Sequence, residues 1–307
     1  ECEIAAGTGN DCFSPEQLIT VEQWAVMLCR AYGAETIGDS WQDVGRSSVV
    51  EAYRQGWLNE TALSAPRSPM CRSVLVESAF AAADVPVYDS TLYEGGASLS
   101  TADNILRVGR ELGLCSDDAD TNALVTRGDA AIILHVVLTQ SFRIEEPPVP
   151  VTLVNAAGVN INDYLLALRQ VPEPVLAAFN AAGWTYRIDF DYMGGLSKKL
   201  NMSCIGATNY SQKTIYLSEA SATLHEFGHF LDWMLGFPAE YEQLFRAEAS
   251  AAPLRNYAKT DSREYFADCF AYWVKYAENA NAISLLQECA PMTYRYMEDL
   301  MRIANRL

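Results

Sequence analysis

Basic residues are scarce in this chain: 22 lysines and arginines stand against 39 aspartates and glutamates, a formal net charge of −17 over 307 residues. That balance excludes nucleic acid and anionic membrane surfaces as partners, because both require clustered cations. Long hydrophobic runs are missing as well. The longest, Ala130 to Leu138, holds His135 and falls far short of the roughly 18–20 residues that span a bilayer. None of the eight cysteines forms a C-x-x-C pair, which argues against a cysteine zinc site or a thioredoxin-type motif. Disulfides then remain an option, with Cys2 and Cys12 the easiest local pair, and so does the alternative that most cysteines are small buried hydrophobes. Glu1 stands where a start methionine would, so a leader segment is expected to have been removed.

What is present is a globular composition, half of it apolar, in a length that suits two domains. The run Glu145-Glu146-Pro147-Pro148-Val149-Pro150 lacks several backbone donors and has φ fixed at each proline, so it is expected to be an extended spacer. The expected organisation is a helical domain over 1–144, a linker over 145–150 and a mixed domain over 151–307.

The first part repeats with a period of about 50–55 residues, the mark of stacked supersecondary units. Helices are expected to start at Ile19-Thr20-Val21-Glu22, at Met70-Cys71-Arg72-Ser73 and at Val125-Thr126-Arg127-Gly128-Asp129, with Thr20 and Thr126 as N-caps. Between them, Val49–Gly56 and Ile105–Gly113 read as shorter helices ending in glycine, followed by Trp57-Leu58 and Leu114-Cys115. These segments, with Trp41-Gln42-Asp43-Val44, resemble S-layer homology repeats over roughly 14–142. The resemblance implies attachment to cell-wall polymer. Val21 and Cys71 depart from the family pattern, and plain packing is the competing expectation.

After the linker, strands are expected at Val151–Val154, Trp184–Phe190 and Lys213–Leu217, the last either a substrate-pairing edge or an internal strand. A helix is expected over Asn162–Ala182, interrupted by Pro172 and Pro174. Further helices are expected at about Ala220–Leu235, at Ser262–Glu278 and near the C-terminus. The fold class is therefore α+β, with an all-α repeat domain first.

His225-Glu226-Phe227-Gly228-His229 is the most informative stretch. On a helix, positions four apart share a face, so both imidazoles can reach one metal ion, while Glu226 between them reaches a water on that metal. Zinc is the metal such a set suits, and proton removal by the glutamate is the chemistry it suggests. No histidine follows His229, so a third ligand has to be an acid or a cysteine. Glu264 is one candidate. It also sits at capping-box spacing from Asp261, and local sequence does not choose between the two roles.

The same motif, taken with Tyr257 and Glu264-Tyr265-Phe266-Ala267-Asp268, resembles the anthrax-lethal-factor-like metallopeptidases, which include secreted Pro-Pro endopeptidases. The resemblance covers about 151–307. It implies an α+β metallopeptidase fold, Glu264 as third zinc ligand, Tyr257 as oxyanion donor, a protein or peptide substrate, and a secreted or cell-surface location. Asp268 stands where the family often has a second glutamate. Asp232, on the histidine face, is either a partner for a ligand or merely solvated. The rival expectation is a wall-binding protein whose peptidase half is a relic; a purely structural metal is another.

Overall fold

The computed structural model describes residues 4–5 and 13–304, so Cys2 and Cys12 lie outside the described residues. The other six cysteines are free thiols. The chain divides between Pro147 and Pro148 into two compact units, each with its own core.

Among its described residues the first unit is helical: α1 (Val21–Tyr32), α2 (Trp41–Arg54), α3 (Glu60–Ser64), α4 (Arg72–Ala82), α5 (Thr101–Glu111) and α6 (Arg127–Thr139). Thr20 and Thr126 close reciprocal capping boxes with Gln23 and Asp129, while Cys71 in the equivalent place makes no cap bond. α2 starts earlier than expected because the Ser40 hydroxyl accepts from the Asp43 amide, making Trp41 to Val44 its first turn. Gly56 and Gly113 take left-handed φ of 73° and 74°, which lets the chain reverse and bury Leu58 and Leu114.

The segments entering α1, α4 and α6 meet in a ring. Ile19 N–H donates to the Val125 carbonyl, Val125 N–H to that of Met70, and Met70 N–H to that of Ile19, each at 3.0 Å. All three side chains are buried, so the ring is the hub of the unit's core.

The second unit is α+β. Its sheet contains β1 (Leu153–Asn155), β2 (Thr185–Ile188), β3 (Gly206–Asn209) and β4 (Thr214–Leu217) in the order β1-β2-β4-β3; only β3 runs antiparallel to its neighbour. The segment expected as a possible edge is thus internal: β4 is buried along its whole length, and β3 is the free edge beside it. α7 (Asn162–Gln170) and α8 (Glu173–Ala181) replace the single expected helix, broken where Val171 takes the extended backbone that a following proline favours. β2 stops at Ile188, and Asp189 caps α9 (Phe190–Leu200) by accepting from the Tyr192 amide. α10 (Thr223–Met234), α11 (Ala239–Glu248), α12 (Ser262–Lys275), α13 (Ala280–Cys289) and α14 (Pro291–Ala304) complete the unit.

α10 is pinned to α8 and to the sheet by aromatic packing. Phe227 and Phe230 contact Phe179, and Tyr186 stacks on Phe227 while sharing a 2.7 Å hydrogen bond with Thr223. Its other neighbour is α12. Gly228 makes that approach possible, because a Cβ there would lie 2.6 Å from Ala267 Cα and 2.8 Å from the Ala267 carbonyl oxygen. Two helices at this separation can share one set of ligands.

Candidate metal centre

His225, Glu226 and His229 project from α10 into a cleft of about 890 Å³ whose walls include β3, the segment around Arg255 and Tyr257, and α12. His225 Nε2 lies 3.1 Å from His229 Nε2 and 3.1 Å from Glu264 Oε2, and the last two atoms are 3.5 Å apart. Zinc bonds of about 2.0–2.1 Å at a tetrahedral centre put neighbouring donors about 3.4 Å apart. The triangle therefore has the size of one face of a zinc coordination sphere. Glu264 Oε2 is buried and makes no hydrogen bond, although two imidazoles flank it. A metal ion gives that oxygen a partner, so the donor set fits zinc. The capping alternative is resolved as well: Asp261 accepts the amides of Arg263 and Glu264, which frees the Glu264 carboxylate to face the histidines.

The electrostatics agree with a cation at this point. Burial works against ionisation of Glu264, yet His225 and His229 hold its pKa well below the usual carboxylate range. Burial also works against protonation of His225, but Asp268 and Glu264 outweigh it and raise its pKa to about 9. The cluster attracts one positive charge, which a metal ion supplies in place of a proton.

The surrounding groups have separate tasks. Asp268 Oδ1 is 2.6 Å from His225 Nδ1, the contact that fixes the tautomer with its Nε2 lone pair aimed at the shared point. Glu226 is buried and stands outside the donor cluster; its Oε2 accepts from the Thr208 hydroxyl at 2.7 Å. Gly206 gives that carboxylate room, since a Cβ there would sit 2.5 Å from Glu226 Oε1. The Tyr257 hydroxyl donates to Glu264 Oε1 at 3.2 Å. Burial, then the Glu264 charge, push the Tyr257 pKa up to about 12, so the phenol keeps its proton near neutrality. Asp232 is buried, not solvated, and burial raises its pKa to about 6. His229 Nδ1 is buried without a hydrogen-bond partner, so Asp232 does not orient that imidazole through it.

Thus His225, His229, Glu264, Glu226 and Tyr257 all converge on one cleft. Thr208, Gly206 and Arg255 were not singled out from sequence. A glycine and a threonine two residues apart were the only local signal for the first two, and Arg255 carried none.

Residues 188–300 match the family model described as anthrax toxin lethal factor, N- and C-terminal domain, a span that holds every one of these site residues. The matched span lies wholly within the second unit. Among solved structures, that of the Pro-Pro endopeptidase from Paenibacillus alvei aligns at 19% identity over 48% of this chain and 96% of that chain, with a TM-score of 0.39. No curated protein matches the chain.

Proposed function

We propose that the chain is a zinc endopeptidase acting through the cleft of its second unit. The observation that carries this is the convergence of His225 Nε2, His229 Nε2 and Glu264 Oε2 within zinc-ligand spacing, beside a carboxylate that is not a ligand. Zinc held by these three residues supplies Lewis acidity and lowers the pKa of a water toward neutrality. Glu226, oriented by Thr208, takes a proton from the attacking water and returns it to the leaving amine. Tyr257, still protonated, donates to the oxyanion that develops on the scissile carbonyl. β3, the free sheet edge on the cleft wall, offers backbone groups to an extended peptide. A relic would have no reason to keep ligand set, base and oxyanion donor in register.

The direct test is cleavage of a peptide library by the full chain with zinc and with chelator. Chelator-sensitive cleavage supports the proposal, and no cleavage of any peptide in the presence of zinc sinks it. A preference for proline-containing substrates belongs to the same experiment: cuts between adjacent prolines support it, and cuts elsewhere exclude it.

We further propose that the enzyme is secreted or surface-held and attached to cell-wall polymer through its first unit, whose three repeat-like segments are joined in one ring. Sedimentation of the full chain with purified wall polymer supports attachment, and a chain left in the supernatant argues for a unit that only packs.

A further inference from the structure

Arg255 precedes the short 3-10 turn Asn256–Lys259 that carries Tyr257, and it is tied to the metal centre from outside the ligand set. Its guanidinium grips Asp268 as a fork: Nε donates to Oδ2 at 2.6 Å and Nη2 to Oδ1 at 2.7 Å. Nη2 also lies 3.0 Å from His225 Nδ1, so Arg255 and His225 are two donors flanking the same carboxylate oxygen. The guanidinium also stands 5.3 Å from the centre of the Tyr257 ring. One side chain therefore touches the carboxylate that orients a metal ligand and the ring that carries the oxyanion donor.

We propose that Arg255 is a positioning residue that sets the plane of the Asp268 carboxylate, and through it the aim of His225, while holding Tyr257 over the cleft. A carboxylate gripped by a planar fork cannot rotate about its own axis, so the hydrogen bond to Nδ1 keeps its direction. Without the fork, Asp268 keeps one partner and the imidazole loses its fixed bearing. Arg255 is outside the donor set of His225, His229 and Glu264, so its effect runs through its neighbours. Its side chain is about half exposed (53%), so replacing it opens no cavity in the core.

This inference rests on the metal reading of the cluster, and the experiment separates the two. Zinc affinity of the full chain is measured by competition with a chromophoric chelator, alongside kcat and KM on a cleaved library peptide. The set is wild type, Arg255→Met, Arg255→Lys, Asp268→Asn, and Arg255→Met combined with Asp268→Asn. Arg255→Met is expected to weaken zinc binding by about 10–100-fold, the usual cost of losing a partner of a metal ligand. kcat falls while KM stays within about twofold. Arg255→Lys, which keeps the charge but not the fork, falls between wild type and Arg255→Met. The double variant binds zinc no more weakly than Asp268→Asn alone, because Arg255 acts on the metal through Asp268. Wild-type zinc affinity in Arg255→Met, or in Arg255→Lys if the methionine variant does not fold, overturns the inference. So does a double variant whose loss is the product of the single losses. A wild type without zinc affinity overturns the metal reading and this inference together.

Discussion

Glu226 and Tyr257 stand outside the set of three candidate ligands, so each can be changed without deleting a ligand side chain. Glu226→Gln keeps the Thr208 contact and the shape of the site, so zinc stays bound while peptide cleavage falls by about 10²–10⁴-fold, the range expected for loss of a general base. Metal analysis of the purified variant beside its kcat checks this; full activity would exclude Glu226 as the base. Tyr257→Phe deletes only the hydroxyl and should lower kcat by about 10²-fold, measured on the same library peptide. The motif residues were legible because helical spacing alone puts His225 and His229 on one face. Glu264 was legible only as one of two options, since capping and ligation make the same demand on local sequence. Arg255 and Thr208 were not legible: each acts across a tertiary gap, to Asp268 and to Glu226, that no periodicity records.

Between α10 and α12, one missing methyl group decides the site's dimensions. Gly228→Ala places a Cβ against Ala267 backbone, which cannot yield as a flexible side chain would. The helices must separate, at a cost of roughly 1–3 kcal/mol, and Glu264 moves away from the imidazoles. The variant should therefore lose zinc affinity as well as thermal stability; unchanged affinity would show that the helices tolerate the shift. α11 and α14 are joined differently. The buried Glu248 carboxylate accepts the Met292 and Thr293 amides at 2.9 and 2.8 Å, capping α14 from another helix. Glu248→Ala orphans both donors at a cost of about 2 kcal/mol, or about 4–8 °C in Tm for a unit of this size, which calorimetry would detect. Elements with strong patterns were readable, and those built from weak formers were not. α9 contains the Gly194-Gly195 pair, and β3 reads Gly-Ala-Thr-Asn, so neither shows the propensity of what it becomes. Yet β3 supplies both the free edge and the hydroxyl on Glu226.

At the scale of the whole molecule, the candidate ligands among the described residues lie in the second unit, so metal binding acts directly on the unfolding of that unit. Calorimetry of the full chain should show two transitions, and chelator should lower only one. Free zinc at about 100 times its Kd adds roughly 2.7 kcal/mol to that one. A single transition that moves as a whole would mean the two units unfold together.

The ring of backbone bonds at Ile19, Val125 and Met70 makes the first unit a closed cycle instead of an open stack. An open array has end members that fray while its middle persists. A three-membered cycle has no ends: cutting out any one member leaves two cut faces and breaks two of its three bonds. The chain must also bring positions more than a hundred residues apart together before the cycle shuts, so shortening this unit by one member does not yield a smaller version of it. The shortened unit is expected to lose its fold, which circular dichroism of such a deletion would show.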